Sequence, residues 1–196
     1  MKITIIGPGL MPIPPKGWGA LEILIWDSKN AFEKLGHEVQ IVNTQNRLDI
    51  INKINSFQPD FVHIQYDEFV SLIPSIQYPT AITSHFGYLE RKEMYSDYIN
   101  IVNEFQRIKP NIFCLSEGIQ KVYNNSFFIP KEKTFLTPNG VNVNRFKKTD
   151  NPKYSDRSIY LAKIEIRKRQ YMFQSIDSLW YAGKNADDSF NKNRDR

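Results

Sequence analysis

The 196-residue sequence contains a single cysteine, Cys114, so no disulfide can form within the chain. The surrounding letters NIFCLS are typical of a buried strand, and we expect a structural thiol there rather than a nucleophile. No apolar run approaches the roughly eighteen residues that a membrane-spanning helix needs, and the N-terminus resembles a strand rather than a signal peptide. These absences predict a soluble, cytoplasmic protein.

The sequence also lacks a zinc-ligand spacing, an internal repeat and an RNA-binding aromatic signature. The regular Gly-x-Gly-x-x-Gly spacing of dinucleotide enzymes is missing as well. The net charge of +5, from 26 basic and 21 acidic residues, favours an anionic ligand or surface. It is too small to indicate nucleic-acid binding, and we expect no nucleic-acid partner.

Strand and helix patterns alternate along the chain with short connections, which is typical of a parallel α/β sheet. The pattern predicts a Rossmann-like doubly wound parallel sheet of six strands, followed by the start of a second such domain. The predicted strands of the sheet are KITII, HEVQIVN, PDFVHIQ, PTAITSH, NIFCLS and KTFLTPN. The predicted helices are residues 20–35, LDIINKINSF, residues 91–109 and EGIQKVYNN.

The predicted domains are residues 1–145, a polar linker at 146–157, and residues 158–196. In the last segment, SIYLAKI predicts a strand, RKRQYMFQSIDSL a helix and LWYAGKN one more strand. This segment is too short to bury a core of its own. It either docks on the first domain or begins an incomplete second one.

The loop GPGLMPIPPKGWG, between the first strand and the first helix, is unusually rich in glycine and proline. In parallel sheets this loop lies at the carboxyl end of a strand, where ligands bind and where glycines let the backbone approach them. Gly17 and Gly19, with Trp18 exposed between them, therefore favour a binding loop at the helix N-terminus. The alternative is a tight turn without a ligand.

His85 follows the fourth strand and is well placed to hydrogen-bond a sugar hydroxyl or to shuttle a proton. For His37 and His63 we expect structural roles. Ser116 is expected to cap the helix that follows it, with contact to a ligand as the alternative. Asn139 and Gly140 suit a turn that requires positive φ.

The basic residues of AKIEIRKRQ lie where positive charge is unfavourable for the predicted secondary structure. Lys163 ends a predicted strand, and Arg167, Lys168 and Arg169 open a predicted helix, where positive charge opposes the helix dipole. Such an arrangement is stable when an anion binds there, and it indicates a diphosphate site. The alternative is a run of solvated charges.

Several of these pieces occur together in a known order, and the chain resembles the GT-B glycosyltransferases of family 4, the group 1 glycosyltransferases. The pieces are GPG…PPKGWGALE, KLGHEVQIV, PDFVHIQ, TSHFG, CLSEGIQKVY, TPNGVNVNRF and YLAKIEIRKRQ. The resemblance implies two Rossmann-like domains, with the acceptor mainly on the first and the nucleotide sugar mainly on the second. It implies a retaining transfer of a hexose from a UDP- or GDP-linked donor to a glycan or glycolipid. Neither a metal nor a cofactor is implied.

The resemblance also implies roles for particular residues. Gly17, Trp18 and Gly19 approach the donor phosphates and sugar, and His85 faces the transferring sugar. Lys163 and Lys168 hold the leaving diphosphate, although Lys163 stands where the family has arginine and loses its bidentate fork. Arg167 joins them as a predicted phosphate ligand because of its place in the basic run. The residues implied on the acceptor side or in support are Glu22, Ser116, Asn139 and Gly140.

The family's Glu-x7-Glu segment and base pocket have no counterpart before Arg196. Activity of this chain alone therefore stays open, as do a complementing chain, a homo-oligomer and a peripheral membrane contact. One alternative is a non-catalytic module that binds a sugar or a protein. A nucleotide-sugar epimerase or dehydrogenase is disfavoured by the glycine spacing and by the lack of an acidic residue closing strand two, which ends near Asn43.

Overall fold

The computed structural model describes residues 1–85 and 98–190. Its strands are β1 (Lys2–Ile6), β2 (Glu38–Val42), β3 (Phe61–Ile64), β4 (Thr80–Ile82), β5 (Asn111–Cys114), β6 (Thr134–Leu136), β7 (Ser158–Leu161) and β8 (Leu179–Ala182). Its α-helices are α1 (Ala20–Lys34), α2 (Arg47–Phe57), α3 (Ile99–Ile108) and α4 (Glu117–Ser126). Short 3-10 segments span Asp67–Ser75, Lys131–Lys133, Ile166–Lys168 and Gln170–Phe173. None of the described helices is long and apolar enough to cross a membrane.

The first six strands form one parallel sheet in the order β2-β1-β3-β4-β5-β6, which confirms the predicted α/β class and the predicted strands. β1 lies between β2 and β3, with Ile5 opposite Ile41 on one side and His63 on the other. The chain first moves from β1 to one edge and then back past β1 to the other edge. The gap between β1 and β3 is therefore the point at which the winding direction switches, where ligands bind in this class of sheet.

The strand order also decides which face each helix covers. Right-handed crossovers that move in opposite directions place their helices on opposite faces of a sheet. α1 packs on what we call the α1 face, where Ile3 and Ile5 of β1 and Ile25 of α1 are buried together. The other described helices pack on the opposite face, here called the covered face. Its buried core comprises Ile6, Val42, Ile50, Ile54, Val62, Ile64, Phe69, Val70, Leu72, Ile82, Val102, Phe105, Ile112, Cys114, Tyr123, Phe127 and Ile129.

The chain divides into two compact units, Met1–Val143 and Asn144–Arg196. In the described part of the second unit, β7 and β8 pair in parallel, with Ile159 opposite Trp180. The predicted helix between them is wrong, because the chain there forms two 3-10 segments. Arg169 between these segments has φ of 58°, a left-handed conformation that interrupts a helix.

The predicted helix at 91–109 is confirmed only for Ile99–Ile108, and its first residues, 91–97, lie outside the described residues. Cys114 is fully buried on β5, as expected for a structural thiol. Burial raises the pKa of the Cys114 thiol to about 11, so little reactive thiolate exists at neutral pH.

Candidate functional site

A cleft of about 570 Å³ lies on the α1 face of the first unit. Its floor comes from β3 to β5 and the residues after them, one wall comes from α1, and the other comes from the segment after β6. The lining residues are Leu24, Asp27, Ser28, Asn30, Ala31, Phe32, Lys34, His63, Gln65, Thr83, His85, Phe113, Leu115, Thr137, Pro138, Asn139, Gly140, Val141, Asn142 and Val143.

Four polar side chains of the floor form one hydrogen-bonded chain, which we call the floor network: Thr83, His63, Gln65 and His85. The Nε2 atom of His63 lies 2.8 Å from Oγ1 of Thr83. The amide nitrogen Nε2 of Gln65 lies 3.2 Å from Nδ1 of His63. The amide oxygen Oε1 of Gln65 lies 2.6 Å from Nε2 of His85. Gln65 therefore bridges the two imidazoles.

The backbone of the sheet holds the floor network in place. Gln65 directly follows β3, and its N–H donates to the Ile6 carbonyl of β1 at 2.9 Å, across the point where the winding switches. Thr83 directly follows β4, and its N–H donates to the Ile64 carbonyl of β3 at 2.8 Å. Because side chains alternate along an extended strand, His63 and Gln65 share one face, as do Thr83 and His85. The parallel pairing brings the two pairs side by side.

Burial makes both imidazoles of the floor neutral. Desolvation lowers the pKa of His63 to about 3, with a smaller contribution from His85. Desolvation lowers the pKa of His85 to about 4. A histidine that stays neutral down to this pH is a poor carrier of protons near pH 7 but a good hydrogen-bonding group. The charged side chains Asp27 and Lys34 belong to the α1 wall of the cleft.

The floor also has an apolar part, which consists of Phe113 and Leu115. The Phe113 ring of β5 meets the His63 ring edge-on, with 5.0 Å between the ring centroids. Phe61 and Phe135 flank Phe113, each with its centroid 6.1 Å away. An apolar ring surface beside uncharged hydrogen-bonding groups suits a ligand that is apolar on one side and carries hydroxyls on the other, such as a sugar.

The side chain between Thr83 and His85 points to the covered face. The Ser84 hydroxyl donates to Oδ2 of Asp67 at 3.0 Å, and both residues are buried. Desolvation raises the pKa of the Asp67 carboxyl to about 6, although the bond from Ser84 acts in the opposite direction. The end of β4 therefore takes part in two polar groupings, one on each face.

The first part of the loop rich in glycine and proline packs against the end of β2. Gly9 has φ of 70°, and a Cβ atom there would lie 2.5 Å from the carbonyl carbon of Thr44. Asn43, after β2, holds the loop: its Oδ1 accepts from the Gly9 N–H and its Nδ2 donates to the Met11 carbonyl, both at 2.8 Å. The first two glycines of the loop thus lie next to the end of β2, and no ligand is needed to explain Gly9.

The residues predicted to approach the donor lie at the start of α1. Gly19 is its N-cap, with φ of 153°, and a Cβ atom there would lie 2.9 Å from Oε2 of Glu22. Glu22 is buried in the first turn, where its negative charge interacts favourably with the helix dipole. Gly17 has open space around it, and Trp18 is 83% exposed. The described lining residues of the cleft include neither these three predicted donor residues nor Glu22, which was predicted on the acceptor side or in support.

The predictions for the residues that follow β5 and β6 have different outcomes. Ser116 caps α4, with its hydroxyl accepting from the Ile119 N–H at 3.2 Å, so the expected capping role is confirmed. Asn139 and Gly140 line the cleft together with His85. The expectation that this pair needs positive φ is wrong, because neither has positive φ and a Cβ atom on Gly140 would meet nothing within 4 Å.

The predicted diphosphate residues lie in the second unit, around Glu165. The ammonium of Lys163 is 3.5 Å from one carboxylate oxygen of Glu165, and the guanidinium of Arg167 is 2.5 Å from the other. Lys168 belongs to the adjacent 3-10 segment. Without a regular helix, the conflict with a helix dipole that pointed to an anion does not arise. An anion binding here would compete with Glu165 for the two cations.

The sequence reasoning missed three residues of the floor network, because His63 was assigned a structural role and Gln65 and Thr83 were not considered. A signal for them was present. His63 and Gln65 are two residues apart at the carboxyl end of a strand, as are Thr83 and His85 on the next strand, so each pair shares a face. That spacing predicts a polar patch where the strands lie side by side.

Comparison with known proteins adds no identification: no family model, no curated protein and no solved structure matches the chain. Within the residues that the structure describes, no group of three or more side chains could hold a metal ion. The floor network and its cleft are thus the features from which function has to be inferred.

Proposed function

We propose that the chain belongs to a retaining glycosyltransferase of GT-B type. It would transfer a hexose from a UDP- or GDP-linked donor to a glycan or glycolipid acceptor in the cytoplasm. The first unit would supply the acceptor side, and the second would supply the first β-strands of the nucleotide-sugar side. The observation that carries the proposal is the cleft on the α1 face, where His85 lies among uncharged hydrogen-bonding groups beside an aromatic floor.

The chemistry of the floor favours a sugar over other small ligands. A phosphate-rich ligand would need several cations or backbone N–H groups, whereas His63, Gln65, Thr83 and His85 are uncharged at neutral pH. Among the described lining residues, Lys34 of the α1 wall is the one cation. A covering helix of the same chain would need an apolar floor, because burying polar groups without partners costs free energy. A polyhydroxylated ligand can use both the hydrogen-bonding groups and the Phe113 ring.

The lowered pKa of His85 also constrains its role. With a pKa of about 4, His85 cannot take up a proton efficiently near pH 7, so we assign it to hydrogen-bonding a sugar hydroxyl. In a retaining transfer of this type the acceptor hydroxyl would lose its proton to the departing phosphate. The chain's own contribution would be to orient the sugar and, through Lys163, Arg167 and Lys168, to stabilise negative charge on the leaving diphosphate.

The proposal is tested by calorimetric titration of the whole chain with UDP, GDP, UDP-glucose and GDP-mannose. We expect saturable binding that the Lys163→Ala/Lys168→Ala double variant abolishes. Glu165→Gln is the matched control, because it removes the competing carboxylate and leaves both cations in place. We expect it to bind these anions several-fold more tightly. Nucleotide affinity that none of these substitutions changes would contradict the assigned diphosphate site.

One observation favours the alternative of a non-catalytic module that binds a protein or a second copy. Phe135 and Leu136 of β6 are about half exposed, and Val141 and Val143 are more exposed still. Exposed apolar side chains at and after an edge strand are typical of interaction surfaces in soluble proteins. If the chain binds none of the four nucleotides and sediments as a dimer that Phe135→Ser dissociates, the binding module is the correct interpretation.

A further inference from the structure

We infer that Gln65 is a positioning residue that fixes both His63 and His85 as the Nε2–H tautomer, so that His85 keeps Nδ1 as a hydrogen-bond acceptor. Gln65 contacts the two imidazoles through opposite ends of one amide group. The amide nitrogen of Gln65 can only donate, and the amide oxygen can only accept. Each end contacts a different imidazole, so the orientation of this amide determines which ring nitrogen carries the proton in both histidines.

In the structure the amide nitrogen of Gln65 faces His63 and the amide oxygen faces His85. Nε2 of Gln65 donates to Nδ1 of His63 at 3.2 Å, which requires a lone pair on that nitrogen. The proton of neutral His63 is then on Nε2, where it can be donated to Oγ1 of Thr83 at 2.8 Å. On the other side, Oε1 of Gln65 accepts at 2.6 Å from Nε2 of His85. Neutral His85 therefore carries its proton on Nε2 as well.

The alternative orientation changes both histidines together. If the amide rotated by half a turn, Oε1 would accept from Nδ1–H of His63 and Nε2 would donate to His85 Nε2. Both rings would then be Nδ1–H tautomers. If His63 and His85 were different tautomers, one of them would face the Gln65 amide donor to donor or acceptor to acceptor. Such a contact is unfavourable in a buried network. The floor network consequently has two self-consistent states, and the orientation of the Gln65 amide corresponds to the one with both protons on Nε2.

Burial strengthens this coupling. Gln65 is 5% exposed, and its backbone is held to β1 through the Ile6 carbonyl, so its side chain has little freedom to turn to water. Both imidazoles are neutral at neutral pH, which is the condition under which a tautomer is defined. An acceptor nitrogen on His85 is what a sugar hydroxyl needs as its partner. This consequence rests on the proposed function, whereas the tautomer does not.

The test is nitrogen NMR of the whole chain with labelled histidine, without any ligand. The chain has three histidines, which are assigned by comparison with His37→Asn and His85→Asn variants. We expect the Nδ1 signals of His63 and His85 to have the chemical shift of a nitrogen with a lone pair and the Nε2 signals that of a protonated nitrogen. A protonated Nδ1 in either neutral ring would overturn the inference, because the two rings are coupled. This measurement of the tautomers needs no substitution of Gln65.

Two variants then test whether Gln65 is the cause. Gln65→Glu replaces the donor by an acceptor, so Nδ1 of His63 should become protonated while His85 keeps Nε2–H. Gln65→Leu removes both bonds, and the ratio of the two His85 tautomers should fall about tenfold, because the amide oxygen no longer accepts from its Nε2–H. Unchanged tautomers in both folded variants would show that Gln65 does not position the histidines. Nucleotide binding, measured separately, decides the proposed function independently of this result.

Discussion

The two faces of the six-stranded sheet differ in how they are filled. The covered face packs against α2, α3 and α4 and buries most of the apolar core. The α1 face has a small cluster around Ile3, Ile5 and Ile25, and beside it lies the cleft with its polar floor. The strand order causes this difference, because every crossover after β2 moves in one direction and places its helix on one face. Among the described helices, only α1 therefore lies on the face that carries the cleft.

The largest expected effect is a difference in stability between variants with substitutions on the two faces. Phe105 is fully buried on the covered face, whereas Phe135 on β6 is 45% exposed. Phe105→Ala should lower the free energy of unfolding by about 3–5 kcal/mol, because it leaves a cavity in the core. Phe135→Ala removes the same atoms from a partly hydrated site and should cost about 1 kcal/mol. Urea denaturation of both variants measures the difference, and equal losses would contradict the description of the α1 face as incompletely covered.

The next effect concerns the two polar groupings at the end of β4. Because burial raises the pKa of Asp67 from 3.8 to about 6, the folded protein holds a proton that the unfolded chain releases between those values. This contribution to stability is complete below about pH 4 and is lost as the pH rises through 6. Asp67→Asn remains neutral and can still accept from Ser84.

We therefore expect Asp67→Asn to be more stable than the unsubstituted chain at pH 7.5, by about 2–3 kcal/mol, and nearly equal to it at pH 4. His63 and His85 provide the contrast, because their lowered pKa values destabilise the fold as the pH falls below 6.5. Comparing the two proteins at each pH cancels the histidine contribution. A stability difference that does not change with pH would show that Asp67 ionises normally.

A smaller effect distinguishes two glycines of the same loop. Gly9→Ala should cost about 2 kcal/mol or more, because its φ of 70° is unfavourable for alanine and the new Cβ would collide with the Thr44 backbone. Gly17→Ala meets nothing within 4 Å and should change stability by no more than about 0.5 kcal/mol. Thermal unfolding of the two variants gives the comparison. If Gly17→Ala is silent in stability but weakens nucleotide binding, the predicted donor loop gains direct support.

Much of the first unit follows from the sequence. Strand positions such as Lys2–Ile6 and helix positions such as Ala20–Lys34 were predicted within a residue or two, because buried strands and amphipathic helices leave strong periodic patterns. The local structure of the segment after β7 was not predicted from the sequence. Its apolar spacing resembles a helix, but Arg169 is left-handed. The Gln170 side chain donates to the Lys163 carbonyl and accepts from the Glu165 N–H, and these bonds set a different local structure.

The site was predicted only in part, because its geometry depends on pairing between strands. His85 was singled out for its position at a strand end, and the structure places it in the cleft with Asn139 and Gly140. Gln65 was not predicted, because its two-residue spacing from His63 indicates a shared face but not which side chains of the neighbouring strand lie beside it. Its importance comes from lying within hydrogen-bonding distance of two histidines whose sequence separations from it are 2 and 20.

The central claim is that the cleft on the α1 face binds a sugar through the floor network. It is tested most directly by titrating the chain, carrying labelled histidine, with UDP-glucose, GDP-mannose and maltose while the ring carbon–proton signals are followed by NMR. His37 precedes β2, is absent from the lining of the cleft and serves as an internal control. The account predicts saturable shifts of the His63 and His85 signals with at least one of these sugars, and an unchanged His37 signal. If no histidine signal moves, or if all three move together, the cleft is not a sugar site.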